Sequence, residues 1–223
     1  MAPSSRSSAG DERILSYHDA ILLRSDLADL SSPSFLNDRV LHFYFTHLSL
    51  SLPHSVLLLP PSLSFLLSVS PIPLPELDLP SKTLILFPVN DNPDASLPNG
   101  GSHWSLLVYF RPAGEFVHHD SSGGMNSPHA KALYRNVRRL VGVGGGGAEA
   151  TYVEGFTPQQ RNGYDCGVYV MAIAKVICEW KGDSVEEKWF GALREEVDEE
   201  SVRRLRMEVL ALVRSLMRSE RHE

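Results

Sequence analysis

The chain has 223 residues, 43% of them hydrophobic, which is enough for one domain with a sizeable core. Its formal net charge of −6 argues against a nucleic-acid-binding protein, which would show a basic surface. The most apolar region, 48–75, is broken by six prolines and cannot supply the uninterrupted span of about 20 residues that a membrane helix needs.

Residues 1–11 are rich in serine and lack the apolar core of a secretory signal, so they are predicted to be a disordered tail before a single domain at 12–223. The chain has two cysteines, Cys166 and Cys178. On one helix they would be about 18 Å apart, too far for a disulfide. Free thiols indicate a cytoplasmic or nuclear protein.

The order of predicted elements indicates the fold class. Helical spacing, mixed with turn residues in the first segment, predicts helices at 16–30, 35–48, 62–69, 127–141, from 166 and from 184 onwards. Branched apolar runs predict strands at 82–89, 103–110, 115–120 and 150–156. Turn formers and glycines predict loops at 90–102, 112–114 and 144–147. Helices first, strands in the middle and helices last indicate an α+β domain.

The stretch QQRNGYDCGVYVMAIAKVIC, 159–178, places a cysteine where a polar turn meets a helix. The turn residues Asn162-Gly163 precede Cys166, and an apolar helical pattern follows at once. At a helix N-terminus the free backbone N–H groups and the helix dipole favour an anion, so a thiol there ionises more easily. The position predicts a nucleophile. The alternative is a small buried cysteine that starts a core helix, the role predicted for Cys178.

A base and an orienting acid are found on the predicted hairpin. His103 begins one strand, Asp120 ends the next, and the turn at 112–114 joins the two strands. These ends of an antiparallel hairpin lie at the same edge of the sheet, so both side chains can reach one point. A cysteine nucleophile needs such a base, and the base an orienting group. The structural alternatives are a surface histidine and a turn-capping aspartate.

Neighbouring residues compete for these roles. His118 and His119 are alternative bases, but they lie beside Asp120 on the same strand, where it is badly placed to orient them. Asp165 is predicted to be a helix N-cap rather than a catalytic acid.

Two adjacent glutamines, Gln159 and Gln160, offer amide donors to an oxyanion just before the cysteine. The residue pattern alone does not choose between them. The two cysteines and the scattered histidines lack the spacing of metal ligands, so no metal site is expected.

Taken together, His103-Trp104, Asp120 and QQRNGYDCG at 159–167 resemble the sentrin-specific protease family, the cysteine proteases that act on ubiquitin-like modifiers. The order His, Asp, Gln, Cys matches, and so do the separations of 17 residues from His to Asp and 46 from Asp to Cys. The resemblance covers about residues 14–180, and the combined set is far more specific than any of its pieces.

This resemblance implies a papain-like α+β fold, with a central, mostly antiparallel sheet, a nucleophile helix and flanking helices. It implies Cys166 as nucleophile, His103 as base and Asp120 as the group that orients the base. Gln160, six residues before the cysteine, is implied as the oxyanion donor. Trp104 would line the narrow tunnel that admits the Gly-Gly tail of the substrate.

Several stretches are most similar to the deneddylase branch, which acts on the Nedd-type (RUB) modifier: PSFLND, LDLPSKTLILFPVNDN and HWSLLVYF. Phe35 stands where the family often has tryptophan, and it can still form a flat apolar lid. Asp38 is predicted to pair with the arginine before the modifier's Gly-Gly, and Asn90 to belong to the same substrate site. The alternative for Asp38 is a cap of its own helix.

The implied function is that of a cofactor-free cysteine isopeptidase and processing peptidase. Its expected partners are the Nedd-type modifier and its conjugates, cullins among them, with neither nucleic acid nor membrane, and the protein is expected to be a monomer. The alternatives are the same chemistry on the SUMO modifier, a catalytically silent modifier-binding module, and an acyltransferase. The intact His, Asp, Gln and Cys set weighs against the binding module, and no acyl-coenzyme site is found in the sequence.

Overall fold

The computed structural model describes residues 11–92, 100–142, 149–182, 185 and 187–220. The strands are β1 (Arg13–Tyr17), β2 (Ala20–Leu23), β3 (Val56–Leu58), β4 (Leu84–Asn90), β5 (Trp104–Phe110), β6 (Glu115–His119) and β7 (Thr151–Glu154). The α-helices are α1 (Arg24–Ser31), α2 (Asp38–Ser49), α3 (Pro61–Val69), α4 (Ser127–Val137), α5 (Cys166–Glu179), α6 (Phe190–Glu196) and α7 (Glu199–Glu220). The predicted tail, apart from residue 11, and the glycine run 144–147 lie outside the described residues.

Five strands form a mixed sheet in the order β3-β4-β5-β6-β7. The α+β class is confirmed, but the expectation of a mostly antiparallel sheet is correct only for its centre. The three central strands are antiparallel, whereas both edge pairs are parallel. The connections explain the difference, because α3 lies between β3 and β4 and α4 lies between β6 and β7. Helical crossovers of this kind join parallel strands.

Two hydrophobic cores lie on opposite faces of the sheet. Alternate residues of β4 belong to different cores: Leu86 packs with the side of α2, α5 and α7, and Ile85 and Phe87 pack with the side of α3 and α4. Helix α5 is buried along nearly its whole length and packs on β5. This burial fixes the N-terminus of α5 relative to the sheet.

The segment 16–30 is not one helix. Strands β1 and β2 form an antiparallel hairpin that turns at His18, whose φ of 53° is left-handed, and helix begins only at Arg24. The turn residues therefore outweigh the helical spacing. Strand β3 was also not predicted, because its three residues are too few to show a periodic pattern.

The helical region predicted from 184 onwards is two helices, α6 and α7. Ser201 N donates to Asp198 Oδ1 at 2.7 Å, and Asp198 N donates to Ser201 Oγ at 2.9 Å. This reciprocal cap starts a new helix at the break. The helix predicted for 127–141 ends at Val137. Within the described ranges, no helix is long and apolar enough to cross a membrane.

Candidate active site

Cys166 is the first residue of α5, as the sequence predicts, and its side chain is buried. The residue after it must be small. A Cβ atom built on Gly167 would lie 3.1 Å from Leu36 Cβ and 3.2 Å from Leu41 Cδ1. The glycine lets the segment before α2 pack closely against the helix that carries the thiol.

His103 and Asp120 meet at the end of the β5–β6 hairpin. The strands pair from Leu106 opposite His119 onwards, so the two residues lie just beyond the paired region. His103 Nε2 donates to Asp120 Oδ1 at 2.6 Å, and both side chains are buried. The Cys166 thiol lies near enough to the His103 ring to interact with it electrostatically. The structure therefore brings together the three residues that the sequence selects.

The electrostatics of the three side chains favour a charged histidine. Burial alone would lower the pKa of His103, but the hydrogen bond with Asp120, the charge of that carboxylate and the neighbouring Cys166 outweigh it and raise this pKa to about 9. Burial would raise the pKa of Asp120, yet hydrogen bonds from His103 and from backbone N–H groups hold it below its usual value. The arrangement supports an imidazolium beside the nucleophile, with an ionised carboxylate behind it.

The His103–Asp120 pair is held in place by residues that the sequence did not reveal. The backbone N of Asn126 donates to Asp120 Oδ2 at 2.8 Å, and its Nδ2 donates to the His103 carbonyl at 3.2 Å. Asp91 accepts from the His103 backbone N at 2.9 Å and from Ser102 N at 2.6 Å. The turn formers at 90–102 and the helix-start signal at Ser127 mark these positions in the sequence, but they do not reveal their partners.

The two glutamines have different environments. Gln159 Nε2 donates to the carbonyls of Asp120 and Thr157 at 3.0 and 2.9 Å, which uses both N–H groups of its amide. Gln160 Nε2 donates to the Asn162 carbonyl at 2.8 Å, and its Oε1 accepts from Ser121 at 2.8 Å. One N–H of Gln160 thus remains for an oxyanion, so the geometry favours Gln160 as the donor.

Asp165 occupies the N-cap position of α5, but its side chain makes no capping bond. The preferred role, that of a simple helix cap, is therefore wrong for the carboxylate. Asp165 Oδ1 instead accepts from Nε and Nη2 of Arg206 at 3.1 and 2.8 Å, and Oδ2 accepts from Asn162 at 2.7 Å. Charge-assisted hydrogen bonds to a buried guanidinium are strong, which explains why the carboxylate pairs with Arg206 and does not cap the helix.

The alternative bases are occupied elsewhere. His118 lies between Glu154 and Ser105, at 2.7 and 2.9 Å. His119 Nε2 accepts from Trp189 Nε1 at 2.9 Å, and its Nδ1 faces the Phe156 carbonyl at 3.0 Å. Burial lowers the pKa of His119 to about 3, which keeps it neutral. Both ring nitrogens of each histidine thus have partners other than the thiol.

The predicted substrate-binding residues share one cavity of about 450 Å³ beside His103, lined by Phe35, Asp38, Asn90 and Trp104. Phe35 is 52% exposed, as a lid residue would be. Trp104 Nε1 donates to the Leu36 carbonyl at 2.8 Å, which joins the two walls. Asn90 has a structural bond as well, from its Nδ2 to the His103 carbonyl at 3.2 Å.

Asn37, rather than Asp38, caps α2: its side chain accepts from the backbone N of Arg39 and of Val40. The carboxylate of Asp38 is exposed and does not cap its own helix. Among the described residues, no group of three or more His, Cys, Asp or Glu side chains could hold a metal ion.

Cys166 is expected to be the thiol that reacts first with a limiting amount of a small alkylator. Cys166 starts α5 beside the His103 ring, the position of a nucleophile, whereas burial raises the pKa of Cys178 to about 12 and keeps that thiol protonated. Peptide mapping of the adduct measures the order of reaction. A Cys178→Ser variant should label as the wild type does and Cys166→Ser should not; labelling of Cys178 before Cys166 would contradict the nucleophile assignment.

Comparison with known proteins agrees with this geometry. Residues 150–217 match the Ulp1 protease family, C-terminal catalytic domain. The chain is 45% identical to NEDD8-specific protease 1 of Arabidopsis thaliana over 93% of this chain and 95% of that protein. It is 35% identical to sentrin-specific protease 8 of Homo sapiens over 76% and 82% of the two chains.

A solved structure shows the same fold. The C-terminal Ulp1 protease domain in complex with Smt3, the yeast ortholog of SUMO, aligns with a TM-score of 0.65 at 17% identity, covering 94% of this chain and 90% of that one. The sequence matches reach much higher identity over most of both chains. On their strength, this chain belongs to the Ulp1 protease family.

Proposed function

We propose that this cysteine-type peptidase processes and removes a ubiquitin-like modifier of the Nedd/RUB type after its C-terminal Gly-Gly. The observation that carries the chemistry is the His103 ring, which bonds to the Asp120 carboxylate and lies beside the Cys166 thiol at the start of α5. The observation that favours this modifier is the 45% identity, over nearly the whole chain, to a relative named as NEDD8-specific.

The reaction follows from these positions. The Cys166 sulfur attacks the carbonyl carbon of the terminal glycine, and the negative charge that develops on the carbonyl oxygen is met by Gln160 and backbone N–H groups. His103, protonated, gives its proton to the leaving amine as the C–N bond breaks. Water then attacks the thioester, His103 takes a proton from it, and the thiolate leaves as the glycine carboxylate is released.

The cavity beside His103 suits a thin, flexible segment of a substrate. Phe35 and Trp104 line it together, and two glycines are the residues that pass most easily between two flat side chains. Phe35 offers a smaller surface than the tryptophan that the family often has at this position. Binding of cullin conjugates, a monomeric state and a cytoplasmic or nuclear location stay predictions.

Cleavage of two matched fusions tests the proposal. Nedd-type and SUMO-type modifiers, each joined through its Gly-Gly to the same reporter, are compared at equal concentration. The proposal requires a higher kcat/KM on the Nedd-type fusion and no cleavage by Cys166→Ser. Faster cleavage of the SUMO fusion would support the alternative specificity, and binding of either modifier without cleavage would support a silent binding module.

Asp38→Ala is expected to lower kcat/KM selectively on the Nedd-type fusion. The proposed pairing with the arginine before the Gly-Gly is supported by two observations: Asp38 lines the cavity, and Asn37 rather than Asp38 caps the helix. Because this carboxylate is exposed in the free protein, the expected loss is about tenfold and should shrink as salt rises. Glu76→Ala, which removes an exposed carboxylate outside this cavity, is the control. An equal loss on both modifiers would reject the pairing.

The activity is expected to fall above about pH 9. Because the pKa of His103 is raised to about 9, its proton persists through neutral pH and is lost as the pH rises past that value. Without the proton, His103 can no longer protonate the leaving amine. A kcat/KM profile on the Nedd-type fusion measures this limb, and Asp120→Asn should move it to lower pH. A profile that stays flat well above pH 9 would contradict the assignment.

A further inference from the structure

A buried arginine, Arg206, reaches from α7 into the wall of the active site. The residue is only 8% exposed, so its charge needs partners inside the protein. Its partner Asp165, 41 positions earlier in the chain, directly precedes Cys166. The guanidinium also lies 5.9 Å from the ring centre of Tyr164. Arg206 thus holds the two residues that lead into the nucleophile.

The same side chain holds the segment that leads into the lid. Arg206 Nη1 donates to the carbonyls of Asp29 and Ser32 at 2.9 and 3.1 Å, and Nη2 donates to the Ser34 carbonyl at 2.9 Å. Ser34 is followed by Phe35, which lines the substrate cavity. The other wall of the site is therefore anchored to the same guanidinium.

The set of bonds is complete for an arginine. A guanidinium has five N–H groups in a rigid planar fork, and here two bonds go to Asp165 and three go to carbonyls of 29–34. A lysine has three donors on a single atom and cannot reproduce this pattern. The fork fixes the distance between two segments that lie more than 130 positions apart in the chain.

We propose that Arg206 is a positioning residue, which sets the spacing between the lid at Phe35 and the nucleophile Cys166. This inference rests on the proposed function, because the spacing matters only if a substrate carbonyl must sit between the two. A misplacement of about 1 Å between reacting groups costs on the order of 100-fold in rate. Arg206 bonds to Asp165 and to the 29–34 segment, and it acts on the site through them.

The chain offers a matched control in Arg111. Its guanidinium also ties loops together, donating to the carbonyls of Lys82, Leu79 and Val141 at 2.6, 3.1 and 2.8 Å. Arg111 follows the C-terminal end of β5, whereas His103 and Trp104 lie at its N-terminal end. Arg111 and Trp104 are therefore about 23 Å apart along the strand. Arg111→Lys therefore reports the loss of a similar structural tie far from the site.

The test compares Arg206→Lys with Arg111→Lys in three measurements: the melting temperature, kcat and KM on the Nedd-type fusion, and the rate at which iodoacetamide labels Cys166. Arg206→Lys is expected to lower kcat, raise KM and lower kcat/KM by roughly 10- to 100-fold, and to slow labelling, well below its melting temperature. Arg111→Lys should change only the melting temperature. Equal effects of the two variants, or an unchanged kcat/KM in Arg206→Lys, would overturn the proposal.

Asp165→Asn distinguishes the contact of Arg206 with Asp165 from its contacts with the 29–34 segment. It also tests the proposal if Arg206→Lys fails to fold. The variant weakens the tie to the nucleophile and keeps the three carbonyl bonds of 29–34. We expect slower labelling and a lower kcat, with KM close to that of the wild type. A raised KM with an unchanged kcat would overturn the proposal. The labelling rates are independent of the modifier, so a wild type that cleaves neither fusion refutes the proposed function and leaves the comparison of variants valid.

Discussion

Asp120→Asn is expected to lower kcat by up to about 10⁴-fold, the loss that the equivalent change causes in a serine triad. Asp120 Oδ1 accepts from His103 Nε2 and from Ser122 N, and Oδ2 accepts from Asn126 N. An amide has one acceptor oxygen, so the variant leaves at least one of these donors facing an NH₂ group. The imidazolium also loses its counter-charge, although the thiolate beside it softens the loss.

Steady-state kinetics on the Nedd-type fusion, with the melting temperature measured alongside, tests this expectation. Asp198→Asn is the matched control, because that carboxylate caps α7 and is unconnected with the site. It should change the melting temperature only slightly, because asparagine caps a helix about as well as aspartate, and it should leave kcat unchanged. If Asp120→Asn kept a near-normal kcat, Asp120 would be only a cap for the turn at Ser122.

Gln160→Ala is expected to lower kcat by roughly 10²- to 10³-fold, the usual loss for one oxyanion donor, with a smaller change in KM. Gln160→Glu keeps the shape and replaces the donor by a negative charge, so its loss should be at least as large. Gln159→Ala should matter less for the chemistry, because both N–H groups of Gln159 bind backbone carbonyls.

The same kinetic assay ranks the two glutamines, with labelling of Cys166 by iodoacetamide as a second readout. Gln160→Ala should label at a near-normal rate, because alkylation forms no oxyanion. A larger loss of kcat in Gln159→Ala than in Gln160→Ala would show that the assignment of the two glutamines is reversed.

The core of the candidate site could be predicted because its signals are local. A short turn at 112–114 makes a hairpin, and a hairpin brings the residue before one strand next to the residue after the other, here His103 and Asp120. A polar turn followed by an apolar run placed Cys166 at the start of a helix. The resemblance to the family, now confirmed by the relatives, joined these local signals into one site.

The features of the fold and of the site that could not be predicted depend on contacts between segments that are far apart in the sequence. Nothing near Asp165 in the sequence reveals that its carboxylate pairs with Arg206 instead of capping its helix. The parallel edge strands follow from how α3 and α4 cross the sheet, which periodicity cannot report. The bond from Asn126 to the His103 carbonyl likewise joins residues whose neighbourhood only the folded chain creates.

Modifiers whose terminal glycine carries an electrophile show directly whether Cys166 attacks the Nedd-type modifier. Nedd-type and SUMO-type modifiers of this kind are incubated with the protein in equal amounts, and intact mass followed by peptide mapping identifies the adduct. We expect one covalent adduct, formed with the Nedd-type modifier and located on Cys166. Faster formation of the adduct with the SUMO-type modifier, an adduct on Cys178, or the absence of any adduct would contradict the proposed function.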